Sequence, residues 1–141
     1  MGNLDKAQRI RQYGEVFTPL QTVREMLDTL EKENPGIFEP GRTFLEPACG
    51  DGAFIVEILR RKFERCRRMG DFQVALESVY GFEIQADNVA KCIENVTALC
   101  GEYFKLTPWE RGIISDHIIL CDGLKVMRML ERMQEEGNSH A

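Results

Sequence analysis

Three short strings in this sequence put polar acceptors where an extended run gives way to a turn. EPACGDGAF, at residues 46–54, places Glu46, Gly50 and Gly52 between an extended segment and an amphipathic one. Glycines at a strand-to-helix turn let backbone N–H groups approach a ligand closely, because there is no Cβ to hold it off. SVYGFEI, at 78–84, carries Glu83 near its end. A carboxylate there can accept hydrogen bonds from both hydroxyls of a ribose, or can stand in solvent as a strand-end charge. CDGL, at 121–124, closes a third apolar run with Asp122. That carboxylate could accept from an adenine amino group, with Ile84 and Leu124 flanking the ring, or could cap a following helix.

For these acceptors to meet, their runs must be parallel strands whose carboxyl ends face one crevice. The hydrophobic periods predict this. RTFLEP, at 42–47, is extended, and from Ala53 onward Phe54, Ile55, Ile58, Leu59, Phe63, Cys66 and Met69 recur at helical steps. After the strand at 78–84 comes a helix with Val89, Ile93, Val96 and Cys100 on its inner face. Thr107, Pro108 and Glu110 predict a capped helical turn, HIILC at 117–121 a third strand, and Leu124, Val126, Met127, Leu130 and Met133 a last apolar stripe. Upstream, TPLQ opens a helix over 18–33, with Thr18 as cap, Pro19 in the first helical position and Gln21 reaching back to complete a capping box. Val23, Met26, Leu27 and Leu30 share its inner face, and Asn34-Pro35-Gly36 stops it. Alternating strands and helices imply an open, doubly wound α/β fold with a parallel sheet. The expected organisation is a single domain over 1–136, with N-terminal helices in 1–36, a core over 42–136 and a frayed tail at 137–141.

Composition narrows the function classes. The 141 residues suit one compact domain and leave no room for a second that could read a DNA sequence. A net charge of −5 argues against autonomous nucleic-acid binding. The basic run RRKFERCRRM reads as a solvated helix face, since Glu57–Arg61 and Glu64–Arg68 fall at i,i+4 spacing. The five cysteines lack a CxxC pair, which suggests reduced thiols rather than a zinc site or a disulfide framework. No apolar run approaches the ~18 residues of a membrane helix, and the start, MGNLDKAQRIRQYGE, carries no secretory pattern. A cytoplasmic protein is expected. Trp109 and the methionines at 127, 129 and 133 fit core packing or a capped turn better than base stacking or a partner groove. Ser115-Asp116-His117 is contiguous, whereas a hydrolase triad draws its members from separate elements, so neither His117 nor His140 is assigned a catalytic role.

Taken together, these strings resemble the amino-group, adenine-specific DNA methyltransferases of restriction–modification systems. GEVFTP, at 14–19, is similar to their N-terminal cofactor motif, EPACGDGAF to their glycine motif, GFEI at 81–84 to their ribose motif, and CDGL to their adenine-contacting motif. Order and spacing agree over roughly residues 9–125. The resemblance implies a truncated Rossmann-like, S-adenosylmethionine-dependent methyltransferase fold, with a three-stranded parallel sheet core and flanking helices. It also implies a cofactor site. Phe17, Thr18 and Pro19 would border the methionine end of S-adenosylmethionine, Glu46 would face its ammonium, and Pro47, Ala48, Gly50 and Gly52 would form the turn around it. Glu83 would hold the ribose, Ile84 would pack on the adenine, and Asp122 would bind its amino group with Leu124 nearby.

The family transfers the methyl group with an Asn/Asp-Pro-Pro-Tyr/Phe motif that holds a flipped base, and no such string occurs here. Asn34-Pro35-Gly36 lacks the second proline and the aromatic residue and reads as a helix stop. The expectation is therefore a cofactor-binding part that needs a partner chain for catalysis and reaches DNA only through it. A non-catalytic module of phage or mobile-element type is the alternative, and a small-molecule methyltransferase is a weaker third. In the family the first strand pairs with a fourth, so Thr43–Glu46 is expected to present an open edge. N-terminal helices, a second copy or a separate catalytic or target-recognition chain would cover it.

Overall fold

The computed structural model describes residues 18–139. Phe17 and the rest of 1–17, with most of GEVFTP, lie outside the described residues, as do His140 and Ala141. The elements run α1 (Leu20–Glu33), β1 (Phe44–Glu46), α2 (Ala53–Phe63), α3 (Met69–Glu77), β2 (Val79–Glu83), α4 (Ala86–Tyr103), α5 (Pro108–His117), β3 (Ile118–Leu120) and α6 (Gly123–Ser139). The strands form a parallel α/β sheet in the order β1-β2-β3, with Phe44 opposite Val79 and Gly81 opposite Ile118. Among the described residues, no helix is long and apolar enough to cross a membrane.

Strand alternation sorts the sheet into two unequal faces. Val79, Gly81 and Glu83 are buried toward the helices, where Ile55, Ile58, Leu59, Phe63, Val96 and Leu99 make the core. Tyr80 and Phe82 on the other face are only half-buried, and Leu45, opposite Tyr80, is 39% exposed. A doubly wound sheet would cover that face with helices as well. Among the described residues, β1 pairs only with β2, so the expected open edge is present, and α1 packs on α2.

Several local expectations need correction. Pro19 itself occupies the cap position of α1, with extended backbone, which moves Thr18 one place too far out to cap. Gln21 donates forward to Glu25 at 3.0 Å instead of reaching back. The helix expected to run from Ala53 to Met69 is broken after Phe63, because Asp71 accepts from the N–H groups of Arg67 and Arg68 and starts α3 as a new helix. On α4 the inner face is turned, with Asn88, Cys92 and Leu99 buried while Val89 and Ile93 are half-buried. His117 ends α5 and does not begin a strand; its ring stacks on Tyr80 at 4.2 Å. The stripe on α6 is not core: Leu124, Leu130 and Met133 are exposed and Val126 and Met127 only half-buried, because none of the described elements packs closely along it. Helix α6 also continues through residues 137–139, where a frayed tail was expected.

The capped turn at Thr107 opens a full helix. Thr107 donates its hydroxyl to Glu110 at 2.7 Å and its N–H at 3.0 Å, which is a complete capping box, and Trp109 sits half-exposed on that first turn. Burial pushes the Glu110 carboxyl up, but these bonds outweigh it and hold its pKa below the usual value. The basic run is a solvated face only in part: Glu64, Arg67 and Arg68 are exposed and the expected Glu57–Arg61 pair forms, but Lys62 is buried. Glu57 is buried and bridged by Arg24, Arg60 and Arg61 at 3.8, 3.8 and 3.4 Å, while Arg65 reaches Glu31 at 2.6 Å.

Lys62 is fully buried, its ammonium donating to the carbonyls of Glu39, Pro40 and Arg42, which pins the loop before β1. Burial draws its pKa down from 10.5 to about 8, so between those values the unfolded chain binds the extra proton and this group adds stability as pH rises. Buried thiols act the other way. Burial lifts Cys66 from 9.0 to about 11 and Cys100 to about 12, so the unfolded thiols ionise first and their contribution is lost as pH climbs above 9. With more thiols raised than ammonium groups lowered, urea midpoints should fall between pH 9 and 11. The decline should be shallower in Cys66→Ala/Cys100→Ala, and midpoints that kept rising to pH 11 would contradict this balance.

Candidate functional site

The site grows from the end of β1. Past Glu46 the chain no longer forms strand, yet Cys49 still donates its N–H to the Phe82 carbonyl at 2.9 Å, so the turn stays beside β2. The turn then needs left-handed backbone: φ is +55° at Gly50 and +96° at Gly52. At Gly52 a Cβ would also lie 2.6 Å from the Cys92 sulfur, so this residue lets α2 begin close against α4. Cys49 and Cys92 hydrogen-bond to each other, which together with burial raises the Cys49 pKa. Cys49 is thus a packed thiol rather than a nucleophile.

Glu83 stands at the end of β2 and is 6% exposed. Its Oε1 accepts from the Gly50 N–H at 3.1 Å, and its Oε2 accepts from the Gln85 N–H at 2.8 Å and from Asn88 Nδ2 at 3.4 Å. Gln85 and Asn88 belong to the start of α4, so the positive end of that helix faces the carboxylate. The solvated-charge reading of Glu83 is therefore excluded. Its own carbonyl accepts from Cys121 N–H at 3.0 Å, which sets the β3 end alongside.

The other expected residues take distinct places. Glu46 is half-buried and accepts from the Ala48 N–H at 3.2 Å; burial outweighs that bond and raises its pKa. Asp122 is exposed and accepts from the Lys125 N–H at 3.1 Å, which makes it the cap of α6. One oxygen of that carboxylate carries the cap, which leaves acceptor capacity on the other. Ile84 and Leu124 are 52% and 56% exposed at the carboxyl ends of β2 and β3, an apolar pair beside acidic groups. Thr18 and Pro19 lead into Leu20, which shares a groove of about 310 Å³ with Asp51, Gly52 and Ala53. That brings the start of α1 to the back of the glycine turn. Ion pairs of Arg60 with Glu57 and Glu102 line the same groove.

Two participants gave no usable signal in the sequence. Asn88 looks like any polar residue in a helix's first turn, yet it is 4% exposed. Gly123 looks like punctuation after Asp122, yet a Cβ there would lie 1.9 Å from the Pro47 carbonyl oxygen and 2.7 Å from the Phe82 Cβ. Its small size lets α6 start against the first turn of the site.

No protein-family model matches the chain, and no curated protein matches it in sequence. Its fold is similar to part of a solved structure, the modification subunit of a putative type I restriction enzyme from Vibrio vulnificus YJ016. The likeness is one of fold. It has a TM-score of 0.55 at 24% identity and covers 84% of this chain, but this chain spans only 22% of that one.

Because backbone abuts Gly123 directly, Gly123→Ala should destabilise the fold by about 1–3 kcal/mol in urea denaturation. Gly112, inside α5 with nothing within 4 Å of a built Cβ, is the control, and Gly112→Ala should be neutral or stabilising. Equal effects of the two changes would refute the close-packing role of Gly123.

Proposed function

We propose that this chain is the S-adenosylmethionine-binding part of an amino-group DNA methyltransferase acting on adenine. The observation that carries this reading is the buried Glu83 carboxylate, held between the Gly50 N–H of the glycine turn and the start of α4. A desolvated, oriented carboxylate at a strand's carboxyl end suits a vicinal diol, because each oxygen can accept more than one hydrogen bond. The surroundings fit the rest of an adenosyl group. Ile84 and Leu124 offer apolar contact to a purine, Asp122 keeps acceptor capacity for its amino group, and the glycines leave backbone N–H groups approachable. Glu46, with Thr18 and Pro19 upstream, would take the methionine end, and Phe17 is assigned there by motif alone.

Bound S-adenosylmethionine would supply an electrophilic methyl group. The residues of this chain would bind and orient it, Glu83 fixing the sugar and Asp122 the base. Positioning of that kind accounts for a large part of a transfer reaction's rate. The acceptors for a flipped base are another matter, since no Asn/Asp-Pro-Pro-Tyr/Phe string occurs in the 141 residues. We assign those acceptors to another chain or to further polypeptide, and DNA contact with them, in keeping with the net charge of −5. The same missing string favours one second reading, a cofactor-binding module that does not catalyse.

Calorimetric titration with S-adenosylmethionine tests the proposal, and micromolar affinity, about −8 kcal/mol, is expected. Glu83→Ala should cost about 1–3 kcal/mol of that and the exposed Asp122→Ala about 1 kcal/mol. Absence of heat at millimolar cofactor would remove the assignment. Methyl transfer to DNA once a chain bearing the missing motif is added would separate the first reading from the second.

A further inference from the structure

We propose that Asn88 is a positioning residue, which holds Glu83 in the orientation that accepts a ribose diol; this rests on the cofactor reading above. Asn88 is the third residue of α4 and is 4% exposed, and its side-chain amide donates to Glu83 Oε2 at 3.4 Å. The same oxygen takes the Gln85 N–H, while Oε1 takes the Gly50 N–H. Donors therefore engage both oxygens from two separate elements, and rotation of the carboxylate would break bonds on each side.

The backbone donors alone set where the oxygens sit along the strand axis, because Gln85 and Gly50 follow the paths of their own elements. The amide of Asn88 adds a contact to Oε2 from inside the first turn of α4. With Oε2 carrying two donors and Oε1 one, Oε1 is the freer acceptor, and it is the oxygen on which a ribose hydroxyl would dock, the second hydroxyl of the diol sharing the same carboxylate edge. A diol approaching the site thus meets a carboxylate already turned toward it. Ordering of this kind lowers the cost of binding without contact between Asn88 and the ligand.

A residue that only supports the fold would weaken every ligand alike, whereas one that orients Glu83 matters only to ligands carrying the diol. The test is calorimetry with S-adenosylhomocysteine and with its 2′,3′-dideoxy analogue, on the unaltered chain and on Asn88→Leu, which keeps the branched shape and removes the donor. Asn88→Leu should weaken S-adenosylhomocysteine by about threefold to tenfold, the scale of ordering one side chain on binding, and leave the dideoxy analogue unchanged. Asn88→Ala, which also removes the donor and introduces no charge, provides the same comparison should the leucine variant not fold, and it should show the same selective loss. Equal weakening of both ligands, or no weakening of either, overturns the inference while the cofactor site stands. Failure of the unaltered chain to bind S-adenosylhomocysteine at all removes both.

Discussion

The hydrogen bond from the Gly50 N–H to Glu83 joins parts of the chain thirty-three residues apart, and the geometry of the site follows from it. It crosses from the turn after β1 to the end of β2, so the first two carboxyl ends are fixed relative to each other by a charged group rather than by packing alone. The carboxylate is buried, and a buried charge is tolerated only when its oxygens are satisfied. Backbone donors at Gly50 and Gln85 and the positive end of α4 meet that demand. Removing the turn would leave Oε1 without its donor, and removing the helix start would leave Oε2 without its two. Local shape and electrostatics are thus bound to one another here.

Close approach is the second constraint, and the glycines carry it. Gly81 admits Ile55 from α2 against the sheet, since a Cβ there would lie 2.4 Å from the Ile55 Cδ1. Gly52 does the same between α2 and α4, and Gly123 between α6 and the turn. The site is therefore built where three strand-to-helix joints converge at nearly backbone distance. Each contact depends on a missing side chain, so volume added at any of these points is transmitted to the others through a packed interior.

Much of this was legible in the sequence because it rests on local signals. The strands at β1, β2 and β3 follow from short apolar runs ended by polar residues, and Thr107 with Glu110 announces α5 by a capping box. The pairing of the glycine string with Glu83 was legible too, since each lies at the end of its own strand. What was not legible lacks a residue signal of its own. Asp71 starts α3 from the N3 position of a box whose cap is Arg68, not one of the small polar residues that mark a helix start, and nothing in the residue type of Asn88 announces that its amide is buried against Glu83. The stripe on α6 has the period of a core helix, but period reports amphipathicity and says nothing about whether another element lies against it.

Among the described residues, that stripe belongs with two other surfaces left open or only partly covered, the outer edge of β1 and the sheet face bearing Leu45, Tyr80 and Phe82. Apart from Leu124 at the head of the stripe, none of the three contributes to the site, which is assembled from the turn at Pro47–Gly52, the starts of α4 and α6 and the carboxyl ends of the strands. The acceptor cluster and the exposed apolar surfaces are consequently largely separate parts of this sequence. A partner of the kind proposed could meet the edge and the apolar face, which are the surfaces that natural sheets otherwise hide or blunt, while leaving Glu83 and Asp122 open to a ligand. The division is physical: among the described residues the Glu83 carboxylate has its donors, whereas Leu45 and most of the α6 stripe have no apolar cover.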